Sequence, residues 1–270
     1  MSLNLVHEFT GCQLSYLARH NSTSLNSSVS VFANMRILLF CFLQLIIVQP
    51  AVSAQPVVEI VGGIPIALPV PLGFADPSSN SKELRAFGET ITLPTNRLLA
   101  LFILESDVRH VSSGKSFMLS RYFMVQTSRK LESANVSARD FVKLQATLKK
   151  QQSDLLERNK SRVQQHLDSA SRQLGQQFQD PSLSFKVGEL LPLGVFHEGD
   201  SSVGMAALIK ISFLIDGKAE DLLMAVATMV ALIKGKIIYL YVYSTYKSNA
   251  DAEWVRSVSR QWISLAAGLN

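Results

Sequence analysis

The stretch that most constrains the fold runs from residue 222 to residue 246. Leu222 to Ile233 alternates larger residues (Leu222, Met224, Val226, Val230 and Leu232) with alanines at 225, 227 and 231. That pattern fits a central strand better than a surface helix. Lys234-Gly235-Lys236 supplies a turn. Ile237 to Tyr246 then returns with Tyr239, Tyr241 and Tyr243 on one face and Ile238, Leu240 and Val242 on the other. The pair predicts a β-hairpin.

Other elements group around it. Pro56 to Phe74 interleaves apolar residues with prolines, which remove ladder donors, so an extended opening segment with at most an edge strand is expected. Ser81 to Glu89 reads as a short helix. Arg97 to Leu104 and Phe117 to Thr127 read as strands, the first buried on both faces. Leu183 to Leu191 and Gly204 to Ile215 are further strands, separated by a polar loop from His197 to Ser202. Ala250 to Ala267, capped by Ser248 or Asn249, is a closing helix whose Trp254, Val258, Trp262 and Leu265 share one face and pack on the sheet.

Between the two groups of strands lies the longest periodic segment. Ser137 and Asp140 form a helix start. Phe141, Leu144, Leu148, Leu155, Val163, Leu167, Leu174 and Phe178 follow at helical spacing, and Asp180-Pro181 ends the pattern. An unbroken helix over 137–180 would be roughly 60 Å long at 1.5 Å per residue. Two forms fit this pattern. One is a projecting arm for a partner or for homo-oligomerisation; the other is a helix broken near Ser153 or Gly175 that folds back on its own domain. The element order predicts an α+β class over residues 55–270: a mainly antiparallel sheet with a long central helix and a C-terminal helix packed on the sheet.

Upstream of this domain the chain carries an export signal. Met35-Arg36 precedes an apolar run from Ile37 to Val48, Pro50 breaks any helix, and Ala51-Val52-Ser53-Ala54 ends in a small-x-small pattern. These are the regions of a secretory signal peptide over 35–54, cut between Ala54 and Gln55. The run is about 12 residues where a bilayer span needs about 20. Cleavage with a periplasmic or secreted product is therefore expected, with no stable membrane span afterwards; an inner-membrane anchor by uncleaved residues 37–48 is the alternative. Residues 1–34, Ser- and Asn-rich and without sustained period, read as a non-native or disordered extension before a start at Met35.

Cleavage would remove both cysteines, Cys12 and Cys41, and with them any disulfide, thiolate metal site or cysteine nucleophile. A chain 47% hydrophobic and 17% charged can hold its fold by core packing alone. Beyond Ala54 it keeps 24 of 26 Lys and Arg and 20 of 21 Asp and Glu. So small and scattered a positive surplus argues against a nucleic-acid partner.

Catalytic motifs are weak throughout. Gly114-Lys115-Ser116 resembles the end of a phosphate-binding loop, but Arg109 stands where that loop needs glycine. Ser112-Ser113-Gly114-Lys115 and Ser79-Asn80-Ser81-Lys82 have serine-x-x-lysine spacing without the companion motifs of penicillin-recognising enzymes. Gly199-Asp200-Ser201, with His197 nearby, resembles a serine esterase motif placed late in the chain between two strands. His110, His166 and His197 are widely separated and read as scattered surface residues, so no metal site and no cofactor are expected. The binding candidate is the tyrosine row, Tyr239, Tyr241 and Tyr243 with Tyr246, open for stacking or covered by Trp254 and Trp262 of the last helix.

Val70-Pro71-Leu72-Gly73-Phe74, Tyr239-Leu240-Tyr241-Val242-Tyr243 and the Trp-containing closing helix resemble those of exported Gram-negative bacterial proteins of unknown function. Over about the last third of the chain, a late hairpin followed by a terminal helix is similar to the α/β/α sandwich of Mog1/PsbP-like domains, including the DcrB-like periplasmic group. That resemblance implies a layered fold and carries no catalytic residue across. The expected function is an exported non-enzymatic protein that binds a partner protein or an envelope component. Alternatives are a periplasmic serine hydrolase using Ser201 or Ser112, and an oligomer assembled through the 137–180 helix.

Overall fold

Seven strands form one antiparallel sheet in a computed structural model that describes residues 55–77, 81–112, 119–150, 152–177, 182–215 and 218–270. The 1–34 extension, the 35–54 signal peptide with Ala54, and Gly114-Lys115-Ser116 lie outside the described residues.

In chain order the elements are β1 (Val57–Val61), β2 (Ile64–Leu68), β3 (Phe74–Ala75), α1 (Lys82–Thr90), β4 (Asn96–Leu104), α2 (Glu105–Ser112) and β5 (Arg121–Ser128). They continue with α3 (Ala138–Lys150), α4 (Gln152–Gln177), β6 (Ser184–Gly199), β7 (Ser202–Ile215), β8 (Lys218–Ile233), β9 (Lys236–Thr245) and α5 (Asn249–Leu269). The sheet order is β3-β4-β5-β9-β8-β7-β6, and β1 pairs with β2 in a separate hairpin.

The β8–β9 hairpin stands at the middle of the sheet, and its turn residues Lys234 and Gly235 both have positive φ, at 48° and 78°. Positive φ at both central residues is the geometry whose twist matches the flanking strands. The alternation in β8 and β9 divides their side chains between two layers. Ala225, Ala227, Met229 and Ala231, with Ile238, Leu240 and Val242, form one core with Val255, Trp262 and Ile263 of α5. The alanines leave room for the helix to lie close to the backbone. Trp262 Nε1 donates to the Pro69 carbonyl at 2.8 Å, and the Asn270 amide brackets the backbone of Ala67. These bonds join the helix end to the β1–β2 hairpin.

The opposite face carries the other helices. Phe141 of α3 is fully buried with Val203, Val230 and Ile237. Leu84 and Phe87 of α1 and Leu174 of α4 pack with Leu98, Leu101, Ile103 and Met124. The fold is thus α+β with helices on both sides of an antiparallel sheet.

Several expectations change. A long central helix over 137–180 is not seen; its span holds two helices of 13 and 26 residues. Their apolar positions serve different parts of the core, Phe141 over one end of β8–β9 and Leu174 over β4–β5. Lys149 and Lys150 lie in the last turn of the first helix. The opening segment is more than an edge strand, because Gly62 and Gly63 turn it into the β1–β2 hairpin before β3 joins the sheet edge. The expected polar loop from His197 to Ser202 shortens to a turn at Asp200-Ser201, with β6 running through to Gly199.

Candidate functional site

Residues that alternate outward from α5 converge beneath α1 and α4. On β5 these are Tyr122, Met124 and Gln126; on β9, Tyr241 and Tyr243. Tyr122 stands opposite Tyr243 and Met124 opposite Tyr241, while Val226 and Thr228 of β8 flank the same two tyrosines. The rows continue across the sheet as Met224, Ile209 and Leu190, and as Leu222, Ile211 and Val187. Helix α4 roofs this floor with Val163, His166, Leu167, Ala170 and Leu174. Between floor and roof lies a cavity of about 440 Å³ with mostly apolar walls.

The roof is fastened at the sheet edge. Outermost strand β6 would expose backbone groups, and α4 side chains meet them. The Val187 N–H donates to Gln164 Oε1 at 2.8 Å, Gln164 Nε2 donates to the Phe185 carbonyl at 3.0 Å, and the Phe185 N–H donates to Ser171 Oγ at 3.0 Å.

Polar groups gather at one end. Asn96 Nδ2 donates to Gln126 Oε1 at 2.8 Å, both residues being buried. A second, polar cavity of about 230 Å³ adjoins this end, lined by Glu89, Asn96, Arg129, His166, Ser169 and Gln173 among others. Leu93, His166 and Ala170 belong to the walls of both cavities, and His166 is the polar member of that partition. Its Nε2 is buried and has no hydrogen-bond partner. Buried polar atoms are nearly always paired, so such an orphan marks a position suited to a ligand or water contact. Burial pushes the hydroxyls of Tyr122, Tyr241 and Tyr243 well above the ordinary tyrosine range, which keeps the floor uncharged.

The four tyrosines of the sequence pattern separate. Tyr241 and Tyr243 stand in the cavity wall, with the Tyr243 ring stacked on Tyr122 at 4.4 Å between centroids. Tyr239 packs against the α3 cluster, and Tyr246 leaves the row to pack on the α5 side, its hydroxyl donating to Asn249 Oδ1 at 2.8 Å. Trp254 and Trp262 do not cover the row, since they lie in the core of the opposite face.

The sequence predicts His166 as a scattered surface residue; it belongs instead to a roof whose stripe of 163, 166, 167, 170 and 174 has helical spacing. A histidine placed within an apolar stripe was the signal available in the sequence.

The serine candidates have different surroundings. Ser201 occupies the β6–β7 turn, and His197 Nε2 lies 2.8 Å from Ser202 Oγ instead. A catalytic histidine needs a third group, ordinarily a carboxylate, to orient it. Here burial and then the Arg260 cation hold the His197 pKa below its usual value. Ser112 ends α2, and its side chain lies outside those described.

Among the described residues no helix is long and apolar enough to cross a membrane, and no three His, Cys, Asp or Glu residues cluster as a metal site. No family model matches the chain, and no curated protein is similar to it in sequence.

Proposed function

We propose that this chain is an exported, non-enzymatic binding protein whose ligand is an apolar component of the cell envelope, taken up between the sheet and α1 and α4. The observation that carries this reading is the 440 Å³ cavity floored by Tyr122, Met124, Val226, Tyr241 and Tyr243. Protein interiors pack about as densely as organic crystals, with few voids larger than a water molecule. The apolar wall of this space meets solvent when it holds no ligand, and a ligand of matching chemistry gains ~25 cal/mol for each Å² of apolar surface it covers. The size also falls in the range of small-molecule sites, ~300–1,000 Å³.

Export is supported by the signal peptide pattern of 35–54 with cleavage between Ala54 and Gln55.

The test is titration of the purified protein with a polarity-sensitive anilinonaphthalene fluorophore. Saturable enhancement at one probe per chain is expected. A linear, non-saturating response would contradict the reading.

A further inference from the structure

We propose that the ligand is a single-chain amphiphile with a carboxylate head, in chemical class a long-chain fatty acid. Its chain occupies the apolar cavity and its carboxylate is hydrogen-bonded by His166 at the partition with the polar cavity. This rests on the binding function proposed above and names the ligand of that site.

Three observations define the head. His166 Nε2 is a buried polar atom without a partner, in a residue common to both cavity walls. An imidazole nitrogen bearing its proton donates to a carboxylate oxygen, and a buried donor supplied with a charged acceptor gains more than a neutral pair does. Beyond the partition the wall turns polar, with the buried Asn96–Gln126 amide pair linking the two cavities.

Charge decides the sign of the head. The polar cavity has one cation on its wall, Arg129, which makes no ion pair with any described residue. Its one carboxylate, Glu89, is engaged by Arg85 at 3.1 Å. The free charge on that wall is positive and favours an anion.

Size decides the tail. A volume of about 440 Å³ lies toward the lower part of the range for ligand sites, ~300–1,000 Å³, and suits one acyl chain better than two. The walls are mostly aliphatic and aromatic side chains of five strands and α4, which supply apolar area along the length of a chain.

The experiment compares three ligands of equal chain length on the purified protein: hexadecanoate, its methyl ester and hexadecyltrimethylammonium, each displacing the fluorophore below its critical micelle concentration. Hexadecanoate should bind about tenfold more tightly than the ester, the size of one charge-assisted hydrogen bond. His166→Phe should bring it to the ester's level, while His166→Gln, which keeps a donor, should retain part of the preference. Arg129→Ala, a change at an exposed side chain, should reduce the preference without moving the ester's affinity. Should His166→Phe fail to fold, the His166→Gln and Arg129→Ala results decide. Equal binding of all three ligands, or preference for the ammonium, overturns the carboxylate head while leaving the cavity function standing. Displacement by none of the three, with the fluorophore bound at one site, overturns the single-chain amphiphile, whereas absence of a saturable fluorophore site overturns the binding function itself.

Discussion

Gly62 and Gly63 turn the β1–β2 hairpin with φ of 54° and 82°, and the two positions differ in what surrounds them. A Cβ on Gly62 would collide with the backbone carbonyl of Glu132, whereas one on Gly63 would meet open space. Left-handed backbone costs a non-glycine residue ~1–2 kcal/mol. Gly63→Ala should therefore destabilise by about that amount and Gly62→Ala by more, as read from urea midpoints. Equal effects would contradict the close approach of the hairpin to Glu132. The tyrosines of the cavity floor make a second residue-scale prediction. Burial holds Tyr122, Tyr241 and Tyr243 above the pKa they have when unfolded, ~10. The unfolded chain loses those protons first, so stability is complete below pH ~10 and declines as pH rises above it. Denaturation series from pH 9 to 11 should show the decline, and Tyr122→Phe with Tyr243→Phe should flatten it. An unchanged slope in the double variant would place the hydroxyls in water.

Helix α4 is where stability and function meet at the scale of elements, because three side-chain bonds hold it to the exposed edge of β6. Gln164→Ala removes the acceptor of the Val187 N–H and the donor to the Phe185 carbonyl. Unsatisfying such groups costs ~1–3 kcal/mol. Amide exchange at Val187 should accelerate about tenfold or more, with β8 and β9 amides unaffected. Unchanged exchange at Val187 would mean that the edge is protected by another contact. The elements themselves were legible to different degrees. The β8–β9 hairpin and α5 followed from period-two and helical spacing, since their apolar residues answer to a nearby sheet or helix at every step. The division between α3 and α4 did not, because helical spacing persists through both and the choice between one helix and two rests on which cores Phe141 and Leu174 reach. The β1–β2 hairpin was hidden behind its prolines, although in a two-stranded ribbon Pro65 faces Ile60 without serving a further neighbour.

For the whole molecule, the sheet divides two chemistries. One face is sealed by α5 with alanines and tryptophans; the other holds a cavity roofed by a helix fastened at the sheet's edge. Of the tyrosine row, Tyr241 and Tyr243 stand in that cavity's wall. The cavity was not readable from the chain, since Met224, Ile209 and Leu190 become neighbours only through strand register. His166 likewise gains meaning only where two cavities meet. The central claim is that this volume takes one apolar ligand. Its most direct test is the fluorophore titration repeated with Val226→Trp, which places a large side chain on the cavity floor. The account predicts one saturable site in the native chain and at least a tenfold loss of affinity in Val226→Trp with its fold retained. Undiminished binding in a folded Val226→Trp would contradict it.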